Sequence, residues 1–276
     1  MTRLGHRVAA GIVLLGLSAG FPALANTPQP VAGAPETLDF CFEETPAMPW
    51  RNRQKQGLYF ELLDEVARRL ALRFVYHPQP WPYCLAEIAA GRMDGAFAVA
   101  FSPVREAMFV FPSAAPARDA DALRQDRIVL VRRRGTAVDV VDGRLVGSTR
   151  PVGVLPGYAI GDELRRAGWP VEMSSRDHVV QLSRLAEGEL DAIALSAFRW
   201  AQLQAAGGLA LEGLEALPEP ILSMRYFLAF SKPFVAADAG LAERVWSTTR
   251  EVRNSVTFRR REQAAITEAL TPRASP

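Results

Sequence analysis

The chain has 276 residues, with 32 basic and 30 acidic side chains and 49% hydrophobic positions, enough to bury a large core as one big domain or two lobes. Only Lys55 and Lys232 of the basic residues are lysines, so arginine is the default cation. Without the two arginines of the leader segment described next, the charges balance at 30 against 30, which gives no electrostatic footprint for nucleic acid or an anionic membrane surface.

The chain begins "MTRLGHRVAAGIVLLGLSAGFPALAN". Arg3 and Arg7 are followed by an apolar run and by Ala23-Leu24-Ala25, the pattern of a secretory signal peptide (residues 1–25) cut after Ala25. The apolar run is shorter than the roughly 20 residues that span a bilayer. No cysteine follows the cleavage site to carry a lipid anchor. Residues 26–36 are a Pro/Ala/Gly-rich leader. "LDFCFE" then reads as a strand, "LYFELLDEVARRLAL" as a helix with Leu62, Leu63, Val66, Ala67 and Leu70 at helical spacing, and "RFVYHP" as a strand. "CLAEIAAG" predicts a short helix stopped at Gly91, and "DGAFAVAF" a third strand. This alternation is the signature of a parallel α/β sheet. Cys41 and Cys84, an even pair in an exported chain, are most simply a disulfide, the alternative being two buried thiols.

"DRIVLVRRR" and "RPVGVLPG" predict further strands, with a helix from about Tyr158 to Ala167. "LAEIAAGRMDGAF" from Leu85 is echoed by "LSRLAEGELDAIA" from Leu182, with Gly91/Gly188 and Asp94/Asp191 in register. Two α/β units alike in this way predict two lobes. "ILSMRYFLAFSK" reads as extended chain and the stretch from Ala239 to Leu270 as helix returning to the first lobe, before a loose tail at 271–276.

Ligands of open α/β sheets bind at the carboxyl ends of strands. Just past such an end, Ser102 reads as an N-cap and Pro103 as the first helical residue, which puts Arg105 in the first turn. A cation there opposes the helix dipole, so an anion held by Arg105 and free N–H groups is one reading. A surface ion pair with Glu106 or another acid is the other.

Gly57-Leu-Tyr-Phe-Glu-Leu, Gly91-x-x-Asp94, Ser102-x-x-Arg105, "VGVLPG", "LAEGELDAIALS" and "RYFLAFSK" together resemble the family 3 solute-binding proteins, periplasmic receptors for polar amino acids and related solutes. The resemblance covers nearly the whole mature chain. It implies an α/β, two-lobed, type II periplasmic-binding-protein-like fold with a parallel-rich sheet in each lobe. Lobe 1 takes residues 37–116 and 227–270, lobe 2 residues 117–226, with hinges at about 113–126 and 220–227. It implies that Arg105 binds a ligand carboxylate and that Trp50 covers the ligand, although core or rim packing also suits Trp50 and Trp81. Elsewhere the amino-acid pocket is altered. The family's hydroxyl positions fall at Ala98 and Ala100, the residue after Gly157 is Tyr158, and the aspartate that holds the ligand's ammonium falls at Ser196. Glu43 or Glu44 is left as a substitute acid. An organic acid, with or without a ring, suits these residues better than a zwitterion.

The expected function is therefore a periplasmic, monomeric, non-catalytic receptor for a small-molecule ligand, presenting it to an inner-membrane ABC permease, with no cofactor, no metal and no nucleic-acid partner. Alternatives are a sensor for a membrane signalling partner and a dehydratase-like enzyme on the same fold. For the last, His77 and His178 fall at no matched site position, and no nucleophile–base arrangement is visible.

Overall fold

A computed structural model describes residues 36–112, 119–206 and 211–271. The signal peptide, nearly all of the leader, the start of the first hinge segment and all but the first residue of the tail lie outside the described residues.

The first α/β run is β1 (Thr37–Glu43), α1 (Leu58–Leu70), β2 (Arg73–Gln79), α2 (Trp81–Ala89) and β3 (Gly95–Ala100). β1 pairs in parallel with both β2 and β3. α1 buries Leu62, Leu63, Val66 and Ala67, as its spacing predicts. α2 begins at Trp81, three residues before the predicted start at Cys84, because Pro82 fits the first turn of a helix, where the N–H it lacks is not needed. The Cys41–Cys84 disulfide is formed and ties β1 to α2, with Cα atoms 5.6 Å apart. After β3 come α3 (Pro103–Glu106), a single turn, and β4 (Phe109–Val110).

The second run opens with β5 (Arg124–Arg133) and a hairpin of β6 (Asp139–Val141) and β7 (Arg144–Val146). It continues through β8 (Val152–Gly153), α4 (Ala159–Arg166), β9 (Val171–Glu172), α5 (His178–Ala186), β10 (Ala192–Ser196), α6 (Ala197–Ala206) and β11 (Leu214–Ala216). β8 pairs in parallel with β9 and β10, so β9-β8-β10 repeats the build of β2-β1-β3. The repeated aspartates do the same job in each unit. Asp94 accepts the Asp39 N–H at 2.7 Å at the foot of β1, and Asp191 accepts those of Thr149 and Arg150 at 2.6 and 2.7 Å just before β8. The echoed glycines both stop a helix in the left-handed region, Gly91 at φ +69° and Gly188 at φ +81°.

β12 (Leu222–Ser231) and β5 join the two halves in the order β3-β12-β5-β10, all antiparallel. Leu222–Tyr226 of β12 pair with Arg124–Ile128 of β5. Beyond that shared stretch β12 runs beside β3 and β5 beside β10, so β12 serves the first half and β5 the second. Apolar side chains collect accordingly, around Phe40, Phe42 and Leu63 in one half and around Leu130, Val154 and Ala192 in the other.

The chain closes with α7 (Lys232–Ala237), α8 (Ala239–Asn254) and α9 (Val256–Leu270). The single helix predicted from Ala239 to Leu270 is thus two, broken where the Ser255 hydroxyl accepts the Phe258 N–H and caps α9. α8 returns to the first half: Leu241, Val245 and Trp246 join its core, and Trp246 Nε1 donates to Leu228 O at 2.9 Å.

Candidate functional site

A cavity of about 410 Å³ opens where β1, β3 and β10 end in Glu43, Ala100 and Ser196. Its walls come from both halves of the sheet and from the crossing strands, which contribute Arg124 and Tyr226. Trp50, Ala98, Ala100, Arg105, Tyr158 and Ser196, six of the residues singled out in the sequence, line it together. Gly157, the seventh, is not among the lining residues; its carbonyl accepts a hydrogen bond from Arg105.

Ser102 caps α3 as predicted, accepting the Arg105 N–H at 3.3 Å. With one turn, α3 has little dipole of its own, so the helix-terminus part of the anion reading loses force. The side chain of Arg105 is 4% exposed, and its guanidinium carbon lies 5.8 Å from the centre of the Trp81 ring. It donates to Ala100 O at 3.1 Å and to Gly157 O at 2.6 Å, bridging the end of β3 and the loop after β8. Among the described residues no carboxylate comes within ion-pair distance of it, Glu106 included. Burial lowers its pKa to about 10, so it is still a cation at neutral pH.

Ala98 holds φ +59° inside β3, opposite a register shift in β12. A side chain in that conformation costs about 1–2 kcal/mol, and the strain falls on the cavity wall. Trp50 is buried against the Tyr59 and Phe198 rings. Trp81 belongs to the core beneath the cavity and also shows a face to it. Of the two candidate acids, Glu43 lines the cavity and accepts the Thr45 N–H at 3.0 Å. Glu44 is not among the lining residues and pairs with Arg53 at 3.4 Å.

Several residues of the site were not read from the sequence. Arg51, Arg124 and Arg199 also line the cavity. Arg124 lies between two rings, 4.9 Å from Trp50 and 4.8 Å from Tyr226, and pairs with Asp126 at 3.0 Å. Burial opposes its charge, but the fields of Tyr59, Asp126 and Tyr226 prevail and hold its pKa above the usual value. Asp126 in turn accepts a hydrogen bond from Ser196 Oγ. A carboxylate therefore does stand beside the position of the missing aspartate, already matched by an internal cation.

His178, placed by the sequence at no site position, is at the cavity as the first residue of α5. Burial, and after it the Arg199 charge, pushes its pKa down to about 4, so the ring is neutral at pH 7. Asp177 beside it accepts the Val179 N–H at 2.6 Å and caps the helix. Burial pushes the Tyr158 hydroxyl pKa up, and the Arg51 charge opposes it. His77 is remote from the cavity lining, bonded to Asp39 at 2.7 Å.

No family model matches the chain, and no match was found among curated proteins. Solved structures do match. The P235GK mutant of ArgBP from T. maritima is 17% identical with a TM-score of 0.65, over 84% of this chain and 95% of that one. The GluR0 ligand-binding core from Nostoc punctiforme, in complex with L-glutamate, is 12% identical with a TM-score of 0.64, over 84% and 99%. A histidine kinase sensor domain with similarity to periplasmic binding proteins is 15% identical with a TM-score of 0.65, over 84% and 96%. The fold is the two-lobed, type II periplasmic-binding-protein fold. At such identities the likeness carries the fold alone. Among the described residues, no helix is long and apolar enough to cross a membrane.

Proposed function

We propose that the protein is a family 3-type solute receptor of the periplasm that closes two lobes over a small carboxylate-bearing solute and presents it, as a monomer, to an ABC-type importer. Lobe 1 takes residues 37–116 and 227–270, lobe 2 residues 117–226, and closure bends the segments near 113–126 and 220–227. The paired stretch Arg124–Ile128/Leu222–Tyr226, where the two crossing strands run side by side before parting, supports that hinge. A ligand drives closure only by favouring the closed form, which it does by touching both lobes.

The observation that carries the reading is Arg105. It is a buried cation with no carboxylate partner among the described residues, held at the cavity by carbonyls from both sides. An incoming carboxylate supplies the missing charge through a bidentate pair. The cavity residues named above act by binding, and no general acid–base role is assigned to any of them. The likeness to a kinase sensor domain favours a second readout of the same closure, in which the closed form is sensed by a membrane signalling partner.

The test is a melting-temperature screen against amino acids, aliphatic and aromatic acids and polyamines, repeated with Arg105→Ala. A carboxylate at 100 times its Kd stabilises by about 2.7 kcal/mol, a shift of roughly 5–10 °C at this size. That shift is expected in the native protein and not in the variant. A carboxylate hit that survives in Arg105→Ala overturns the assignment.

A further inference from the structure

Arg51, Arg105 and Arg199 face one cavity, and among the described residues none of the three has a carboxylate within ion-pair distance. Arg51 is 8% and Arg105 4% exposed, while Arg199 is half-buried. Arg51 donates its Nε–H to Glu43 O at 2.9 Å, a backbone group that carries no charge. Of the nearby acids, Asp126 is paired with Arg124, whereas Glu43 and Asp177 line the cavity as carboxylates that accept the Thr45 and Val179 N–H groups, and the Asp177 field favours the Arg199 charge. Tyr158 lines the same cavity, within electrostatic reach of the four arginines and of Glu43.

Burying guanidinium groups without counter-charge is costly, and crowding them together adds repulsion. One ligand carboxylate on Arg105 answers one of them. It leaves Arg51, in the loop after β1, and Arg199, in α6, without an ion-pair partner, opposed only by the fields of acids such as Asp177. The cavity wall also carries aromatic rings, with the Trp50 and Phe198 ring centres 6.3 Å apart.

We propose that the cavity takes a dicarboxylate, one carboxylate on Arg105, the second on Arg199 and Arg51, with its apolar spacer against Trp50 and Phe198. This rests on the receptor reading above and narrows it. A second anionic group held from the Arg199 side also gives the ligand a grip on both lobes, the condition for closure.

The experiment is calorimetric titration of the full mature protein with succinate, glutarate, adipate, phthalate and terephthalate, each beside a monocarboxylate of the same skeleton such as butyrate or benzoate. One spacer length is expected to bind at least about 30-fold tighter than its monocarboxylate partner. Arg199→Gln removes that advantage, bringing the dicarboxylate to within about twofold of its monocarboxylate partner measured in the same variant, while Arg199→Lys, which keeps the charge, restores part of it. Ligand-free melting of Arg199→Gln at or above that of the native protein shows that the variant is folded. Equal affinities within every pair, or an equal loss for both partners in Arg199→Gln, overturn the dicarboxylate assignment and leave the receptor standing. Binding of no carboxylate removes the receptor reading itself and this inference with it, while carboxylate binding indifferent to Arg105→Ala overturns the assignment of Arg105 and with it this placement of the dicarboxylate.

Discussion

Arg124 Nη1 lies 3.0 Å from Asp126 Oδ2, and the guanidinium is packed against the Trp50 and Tyr226 rings. A guanidinium of the protein's own thus occupies an aromatic sandwich and neutralises the acid beside Ser196. A ligand ammonium meets no unpaired carboxylate beside Ser196, which supports the proposed preference for anions over zwitterions.

Removing one member of such a pair leaves a buried, uncompensated charge. Asp126→Asn keeps the shape and an acceptor for Ser196 but strands Arg124. The expected loss is about 3 kcal/mol of unfolding free energy, read from urea denaturation at pH 7. A loss under about 1 kcal/mol shows that water reaches Arg124 and that the pair acts as a surface one.

How much of this was legible beforehand differs between fold and site. Apolar runs and helical spacing named β1, α1, β2, β3, β5 and β8, and the Gly91/Gly188 and Asp94/Asp191 echo exposed the repeat, because each feature is local. The β6–β7 hairpin escaped although its Asp142-Gly143 turn is a recognised hairpin signal, since strands of three residues show no periodicity. α6 escaped because it buries little besides Trp200 and so lacks an apolar stripe. In the site, Arg105 was legible through Ser102 and Pro103. Arg51, Arg124 and Arg199 were not, as a chain that uses arginine for nearly every cation gives no one of them prominence. The proximity of Asp126 to Ser196 follows from β5–β10 register across 70 residues, which no local pattern encodes.

His178 gives the protein a specific acid sensitivity. Its folded pKa, about 4, lies below the unfolded value of about 6.5. Between those values the unfolded chain binds a proton that the folded protein refuses, so stability falls as pH drops through the window, by at most about 1.4 kcal/mol per unit. Above pH 6.5 the group has no effect. Urea melts at pH 7.0 and 4.5 should show this loss in the native protein and a smaller one in His178→Asn. The same loss in both places the sensitivity elsewhere.

The Cys41–Cys84 bridge closes a loop with a sequence separation of 43. In the chain-entropy model a closure of that length stabilises by about 4 kcal/mol. A Cys41→Ser/Cys84→Ser double variant should lose about that much in denaturant, and dithiothreitol should destabilise the native protein to a similar extent. Insensitivity to the reductant in the unfolded state, checked by thiol titration, contradicts the bridge.

Gly157 and Gly135 make a matched pair of positions. Both hold φ +75°, so alanine at either carries the same left-handed cost, about 1–2 kcal/mol. At Gly135 nothing lies within 4 Å of an added Cβ, whereas at Gly157 it meets Pro82 Cγ at 3.1 Å and Trp81 Cδ1 at 3.4 Å. Those two atoms belong to α2 in the first half of the sheet, and the Gly157 carbonyl is what Arg105 Nη2 holds across the cavity. Gly135→Ala should therefore lower the melting temperature and leave carboxylate affinity unchanged. Gly157→Ala should lower both, with affinity down about tenfold or more, because the added methyl group props the two sides apart at the point where Arg105 draws them together. If the two variants bind alike, the approach of Gly157 to α2 plays no part in closure, and Arg105 meets its ligand without help from the opposite wall.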